Sequence, residues 1–265
     1  MNLIVDIGNS RIKVVAMNDD GIVAEYVSAV VDAQWVVSLA QEHDVQRAIV
    51  SSTGGCGEDV AEALRGAVDY VLYFEPSKTP VPIGNAYATP NTLGADRLAA
   101  AVGGVELFPD SDLMIVDFGT AITIDYVEGG VFLGGNISPG MTTRFRALAD
   151  YTAKLPLCGA TDNQLAYGRT TVEAIEQGVM QGITHEIEGY IEAFSKKKTK
   201  KCTIFTGGDA KYFAKRIKNA IFADCEPVLI GLNRILNYNA EKKYHTLPCS
   251  FGACHAAILC FGADE

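Results

Sequence analysis

An α/β fold of two similar lobes, each with a mixed sheet, around a central cleft is what this chain of 265 residues predicts. Three observations lead there. The first is a local pattern that occurs twice. Leu3-Ile4-Val5 runs into Asp6-Ile7-Gly8-Asn9-Ser10 and then Arg11-Ile12-Lys13-Val14-Val15; Leu113-Met114-Ile115-Val116 runs into Asp117-Phe118-Gly119-Thr120-Ala121 and then Ile122-Thr123-Ile124-Asp125-Tyr126. Both copies read as apolar strand, D-x-G-[NT]-[SA], alternating strand, which is a β-hairpin with a glycine at its turn. The second is that strands and helices alternate after each hairpin, the α/β pattern. The third is bulk composition: 48% hydrophobic and 20% charged residues are ordinary for a globular chain with a sizeable core, and the length suits two lobes.

The elements follow in order. After the first hairpin, Gly21 begins a turn and residues 22–29 continue as strand. Residues 33–42 read as helix, and 47–52 as a short buried strand ending in the turn Thr53-Gly54-Gly55. Residues 58–65 are helical and 70–74 form another strand. Pro76, Pro80, Pro82 and Pro90 make 75–92 an extended loop. An Ala-rich helix spans 94–107. In the second half, a hairpin over 113–127 precedes a strand near 130–133, and the turn Gly134-Gly135-Asn136-Ile137-Ser138-Pro139-Gly140 opens a helix over 141–149. Apolar spacing at Val172, Ile175, Val179, Ile183, Ile187 and Ile191 predicts a helix from 170 to about 195. The lysine-rich stretch 195–201 reads as a solvated turn. A strand over 202–206 stops at Gly207-Gly208-Asp209; a last strand is expected over 227–229, a helix from Ile230, and part of a closing helix over 253–261. The expected lobes are residues 1–112 and 113–265.

Charge and cysteine usage narrow the function. A net charge of −10 and a pI near 4.9 argue against broad nucleic-acid binding, which wants a basic face. An anionic substrate must then be captured by local positive groups. No apolar run approaches the length of a membrane span, and the N-terminus has no basic leader, so a cytoplasmic protein is expected. The seven cysteines (Cys56, Cys158, Cys202, Cys225, Cys249, Cys254, Cys260) form no CxxC pair and no zinc-ligand spacing with His43, His185, His245 and His255. No Ser/His/Asp or Cys/His order suggests a nucleophilic triad.

The hairpins carry the chemistry. Glycine lets backbone approach an anion without a Cβ in the way, and turn N–H groups can converge on it. An aspartate at the strand end is a hard oxygen ligand for the counter-ion of a phosphate. Arg11 and Lys13 alternate with Ile12 and Val14, so they share a face near that anion. Asp96, after Gly94 at the head of a helix, can accept a hydroxyl proton or can simply cap the helix. Arg97 beside it can bind a carboxylate or phosphoryl oxygens.

Joined to other segments, the hairpins become specific. The chain resembles the type III pantothenate kinases, in the superfamily of acetate and sugar kinases, Hsp70 and actin. The matching pieces are VDIGNSRIK (5–13), YATPNTLGADR (87–97), VDFGTAITID (116–125), GGNISPG (134–140), GRTTVEAIEQG (168–178) and TGGDA (206–210), in family order over nearly the whole chain. The resemblance implies a duplicated ribonuclease H-like (actin-like ATPase) fold and ATP-dependent phosphorylation of pantothenate, the first step of coenzyme A biosynthesis.

It also implies roles. Asp6, Gly8, Asn9, Ser10, Arg11 and Lys13 would bind ATP phosphates, with Asp6 holding magnesium. Gly119 and Thr120 form a second clamp, and Asp117 would bind a monovalent cation, potassium or ammonium; the residues alone do not separate potassium from magnesium. Asp96 would be the catalytic base. Tyr87, Gly94, Ala95, Arg97 and Thr171 would contact pantothenate, although Thr171 is equally suited to cap a helix. Gly207 and Gly208 resemble the adenosine-side motif. A homodimer is implied, with Thr171 acting across its interface. Asn9-Ser10 stands where many members carry Asn-Thr, keeping the hydroxyl. Two alternatives stand beside this: a non-enzymatic regulatory member of the same family, and a kinase of another small alcohol.

Overall fold

In the computed structural model the chain is described except for residues 10, 197–198, 218–220, 223–225 and 246–265. Ser10 and the expected closing helix over 253–261 therefore lie outside the described residues.

The first sheet begins with β1 (Asn2–Ile7), β2 (Ile12–Asn18) and β3 (Gly21–Ser28), a meander of antiparallel neighbours. Helix α1 (Ala33–Glu42) leads to β4 (Arg47–Ser52), and α2 (Gly57–Arg65) leads to β5 (Tyr70–Tyr73). Both of these strands run parallel to β1, giving the order β3-β2-β1-β4-β5. A two-residue strand β6 (Gly84–Asn85) and α3 (Ala95–Leu107) complete the first half.

The second half repeats the plan. It holds β7 (Asp112–Phe118), β8 (Ala121–Glu128), β9 (Val131–Pro139), α4 (Met141–Asp150), α5 (Thr171–Ser195), β10 (Lys201–Thr206), α6 (Ala210–Ala214), β11 (Ile221–Phe222) and α7 (Pro227–His245). Its sheet order is β11-β10-β7-β8-β9, the same arrangement, with β6 added beyond β9. The recurrence of one strand order with the same mix of pairings identifies a duplicated ribonuclease H-like fold.

Strand alternation assigns each side chain to a layer. Leu3, Val5 and Ile7 pack outward with α1 and α2, whereas Ile4 packs inward. Met114, Val116 and Phe118 pack outward with α4, α5 and α6, whereas Leu113 and Ile115 pack inward. The inward faces share one central core with α3 and α7. Helix α3 lies on β7 and β8 and reaches β4, while α7 lies on β1 and β4. The two helices touch backbone to backbone: a Cβ on Gly103 would sit 1.9 Å from the Pro227 carbonyl oxygen, and one on Gly231 1.8 Å from that of Ala99. Only glycine permits that approach.

Three sequence expectations need correction. The stretch 134–140 is not a turn: β9 runs through Pro139, with an extra residue at Leu133 and φ +115° at Gly134 forming a bulge against Tyr126 and Val127. No strand occupies 227–229, because Pro227 opens α7, where its fixed φ suits a first helical turn. The short helix α6 was not foreseen. Among the described residues no helix is long and apolar enough to cross a membrane.

Candidate active site

Asp6 continues the inward face of Ile4, and Asp117 that of Leu113 and Ile115. Both carboxylates therefore turn toward the layer between the sheets, at the C-terminal ends of equivalent strands. Asp96 joins them from the first turn of α3, also in that layer. Their proximity registers in their acidity. Burial first, then the Asp96 charge, raises Asp6 to about 6; burial, then Asp96 and Asp6, raises Asp117 to about 7. Burial also raises Asp96. Arg11 opposes the shift at both Asp6 and Asp117, so its guanidinium serves the two carboxylates together.

The ladders set the neighbours of each aspartate. Asp6 stands between Lys13 on β2 and Ser51 on β4; Asp117 stands between Thr123 on β8 and Thr206 on β10. The two rows are equivalent but not identical. Ile7 pairs Ile12 in the first hairpin and Phe118 pairs Ile122 in the second, so the first turn is one residue longer. The Gly8 N–H donates to the Arg11 carbonyl at 3.0 Å and the Gly119 N–H to that of Ala121 at 3.2 Å. The glycines thus close the turns and supply near approach, while Asn9, Arg11 and Thr120 are exposed beside them. Lys13 is buried, with Nζ paired to Glu226 at the head of α7 and lying 3.4 Å from Glu25.

Glycines also wall Asp117. Gly207 has φ +94°, and a Cβ there would stand 2.3 Å from the Asp117 carboxylate. The Asp209 N–H donates to the Phe118 carbonyl at 3.1 Å, fixing the turn after β10 against the second hairpin. Gly208 is open and exposed. Gly140 packs on the same hairpin, its N–H donating to the Thr120 carbonyl at 3.0 Å.

Around Asp96 the chain is close-fitted. A Cβ on Gly94 would lie 2.5 Å from its Oδ1, which accepts the Arg97 N–H at 2.9 Å. Ala95 is buried beneath it. Arg97 is buried too, its Nε donating to both Asp125 oxygens at 3.0 and 3.1 Å and its Nη2 also paired there. The guanidinium lies 5.6 Å from the Tyr87 ring centre and 6.0 Å from that of Phe132. Tyr87 rests on Gly134, where a Cβ would come within 3.1 Å of the ring.

The family model for type III pantothenate kinases matches residues 2–193. The chain belongs to the type III pantothenate kinases. A type III pantothenate kinase of Bacteroides fragilis is 41% identical over 240 residues, covering 90% of this chain and 98% of the relative. Among solved structures, a conserved Baf family protein of Campylobacter jejuni, named as a transcriptional activator, is 25% identical with TM-score 0.59 over 90% of this chain and 99% of that one. The activator of 2-hydroxyisocaproyl-CoA dehydratase from Clostridium difficile, solved with bound ADPNP, has TM-score 0.58 at 13% identity over 95% and 99%, a likeness of fold.

In this type III pantothenate kinase, one motif residue stands apart. Thr171 follows the N-cap Thr170, whose hydroxyl accepts the Glu173 N–H in a capping box. It is exposed and lines a groove of about 880 Å³ between α4 and α5, on the outward face of the second sheet, opposite the layer that holds the three aspartates. Sequence reading missed Ser51, Asp125 and Glu226. Each faces a motif residue from a distant element; Ser51 and Glu226 carry no local signature, and Asp125, although it closes the VDFGTAITID string, gives no local sign of its pairing with Arg97. Among the described residues no three Asp, Glu, His or Cys side chains gather closely enough to cage a metal ion.

Proposed function

We infer that the protein transfers the γ-phosphoryl group of ATP to the primary hydroxyl of pantothenate, giving 4′-phosphopantothenate. The carrying observation is the convergence of Asp6, Asp96 and Asp117 from two equivalent strand ends and a helix start.

Phosphoryl transfer asks the protein for alignment and charge stabilisation more than for covalent chemistry. Asp96 is the base: its carboxylate accepts the hydroxyl proton and aims the oxygen, and its raised pKa brings it nearer the working pH. Asn9 and Thr120 flank the phosphates, Arg11 adds positive charge, and Gly8 and Gly119 allow the approach. Gly207 and Gly208 face the adenosine side. Tyr87, Gly94, Ala95 and Arg97 wall the acceptor, with Arg97 pre-oriented by Asp125.

Asp6 fits a divalent ion, because its Oδ1 is buried without a hydrogen-bond partner among the described residues. Magnesium bound with the nucleotide supplies charge neutralisation across the phosphates. The lack of a three-ligand cage among the described residues suits an ion that takes most of its ligands from phosphate and water. Asp117, raised to about 7 among other carboxylates, is the residue for a monovalent cation, potassium or ammonium.

We read the enzyme as a cytoplasmic homodimer of lobes 1–112 and 113–265. The apolar α4–α5 groove, with Tyr151 90% exposed, is the face for a second copy, and Thr171 acts from there on the partner's pantothenate. A regulatory role without catalysis is disfavoured by the intact acidic positions.

The test is turnover of ATP with pantothenate in potassium and in sodium buffer, with mass detection of the phosphorylated product. Asp96→Asn should lower turnover by about two to four orders of magnitude while nucleotide binding survives. No product from the parent chain overturns the reading; turnover of Asp96→Asn within about threefold of the parent, far short of that loss, overturns the role of Asp96.

A further inference from the structure

Ser51 is fully buried, and its hydroxyl has no hydrogen-bond partner among the described residues. It is the penultimate residue of β4, on the face of Ile49, which packs into the central core, whereas Ala48 and Val50 pack outward. The parallel ladder sets it directly beside Asp6, whose Oδ1 is also buried and unpartnered. Buried polar groups are rarely left unpaired, because each one costs stability. Two of them at adjacent ladder positions, facing the cleft, mark a place made for a third group.

The duplication supplies an independent observation. The position equivalent to Ser51 in the second lobe is Thr206, beside Asp117 and likewise buried. A hydroxyl thus flanks the aspartate in both halves, although nothing in the apolar strands around it calls for one.

We propose that Ser51 is a positioning residue that, with Asp6, holds a magnesium-bound water; this rests on the reading of Asp6 as the magnesium residue. A water bound to a cation has its lone pair engaged and two protons to donate. The Asp6 carboxylate and the Ser51 hydroxyl are two acceptors on neighbouring strands, one for each proton. The pair would orient the hydration shell, which magnesium largely keeps when it binds. Outer-shell partners of this kind set metal affinity strongly.

The experiment is calorimetric titration of ADP into the full chain, in EDTA and across a magnesium chloride series, for the parent, Ser51→Ala and Ser51→Thr. Ser51→Ala should bind metal-free ADP within about twofold of the parent, while the magnesium concentration for half-maximal enhancement rises about tenfold, the lower end of outer-shell effects. Ser51→Thr, which keeps the hydroxyl, should stay within about threefold, inside that effect. Without ligand, Ser51→Ala should melt at or above the parent temperature, since it removes an unpaired buried hydroxyl. If the parent's ADP affinity is independent of magnesium, the reading of Asp6 fails and this proposal with it. If the parent responds but Ser51→Ala follows the same magnesium curve, only the role of Ser51 is overturned. Lower melting of Ser51→Ala with an unchanged magnesium curve also overturns it, and identifies a packing residue.

Discussion

Asp117→Asn should make the ligand-free protein more stable at pH 8, although Asp117 is the residue proposed for a cation. The Asp117 carboxyl is raised from 3.8 to about 7, first by burial and then by the charges of Asp96 and Asp6. Its folded pKa lies above the unfolded one, so its contribution to stability is full below about pH 4 and is lost as pH rises through about 7. Asparagine has the shape of the neutral form and never ionises. A shift of about three units at roughly 1.4 kcal/mol each sets an upper bound near 4 kcal/mol at pH 8. Asp6 and Asp96 share the repulsion, so a gain of about 2–4 kcal/mol is expected, against under about 1 kcal/mol at pH 4. Urea unfolding of parent and variant at half-unit pH steps, in EDTA and without nucleotide, measures it. The corresponding rise in melting temperature at pH 8 is about 5–15 °C. A gain of the same size at pH 4 and pH 8, or a loss at pH 8, refutes the reasoning, because neither could come from a buried charge.

Three further outcomes are expected. Arg97→Ala leaves Asp125 charged, buried and alone, and should cost about 3–5 kcal/mol in urea unfolding; adding Asp125→Ala should recover part of that. Gly231→Ala drives a Cβ to 1.8 Å from the Ala99 carbonyl oxygen, so the unfolding free energy in urea should fall by well over the ~1 kcal/mol usual for point changes, whereas Gly189→Ala on α5, with open space around it, should be neutral or slightly stabilising. Tyr151→Glu in the α4–α5 groove should shift sedimentation toward monomer and lower pantothenate turnover without altering nucleotide affinity; a dimer of unchanged strength would remove this groove from the interface.

Much of this molecule was legible in its sequence, and the reasons are local. The hairpins, α1 and β4 announce themselves through period-two or helical spacing of apolar residues bounded by turn formers. Asp6 and Asp117 stood out because each sits beside a glycine in the recurring D-x-G string, and Asp96 because it follows Gly94 at the head of a helix. What escaped depended on distant partners. Arg97 reads as a substrate-binding cation until Asp125, 28 residues away, is seen to hold it, and Lys13 reads as free until Glu226 meets it from 213 residues away. The glycines of 134–135 suggested a turn, whereas they keep β9 in register at a bulge and seat Tyr87. Ser51 had no signal at all, since a serine near the end of a strand is commonplace until its neighbour across the ladder is known.

The unequal hairpins carry a last consequence. A cleft built from two copies of one fold is close to palindromic, and a perfectly palindromic cleft would accept an elongated ligand in either of two directions with equal energy. Here the extra residue in the first turn, and lysine against threonine beside the two aspartates, lift that degeneracy. The cleft acquires a head and a tail: one end carries a lysine paired to two glutamates and a longer turn, the other a threonine and a glycine wall. Directionality is therefore written into the small differences between the copies, while their common features supply the grip.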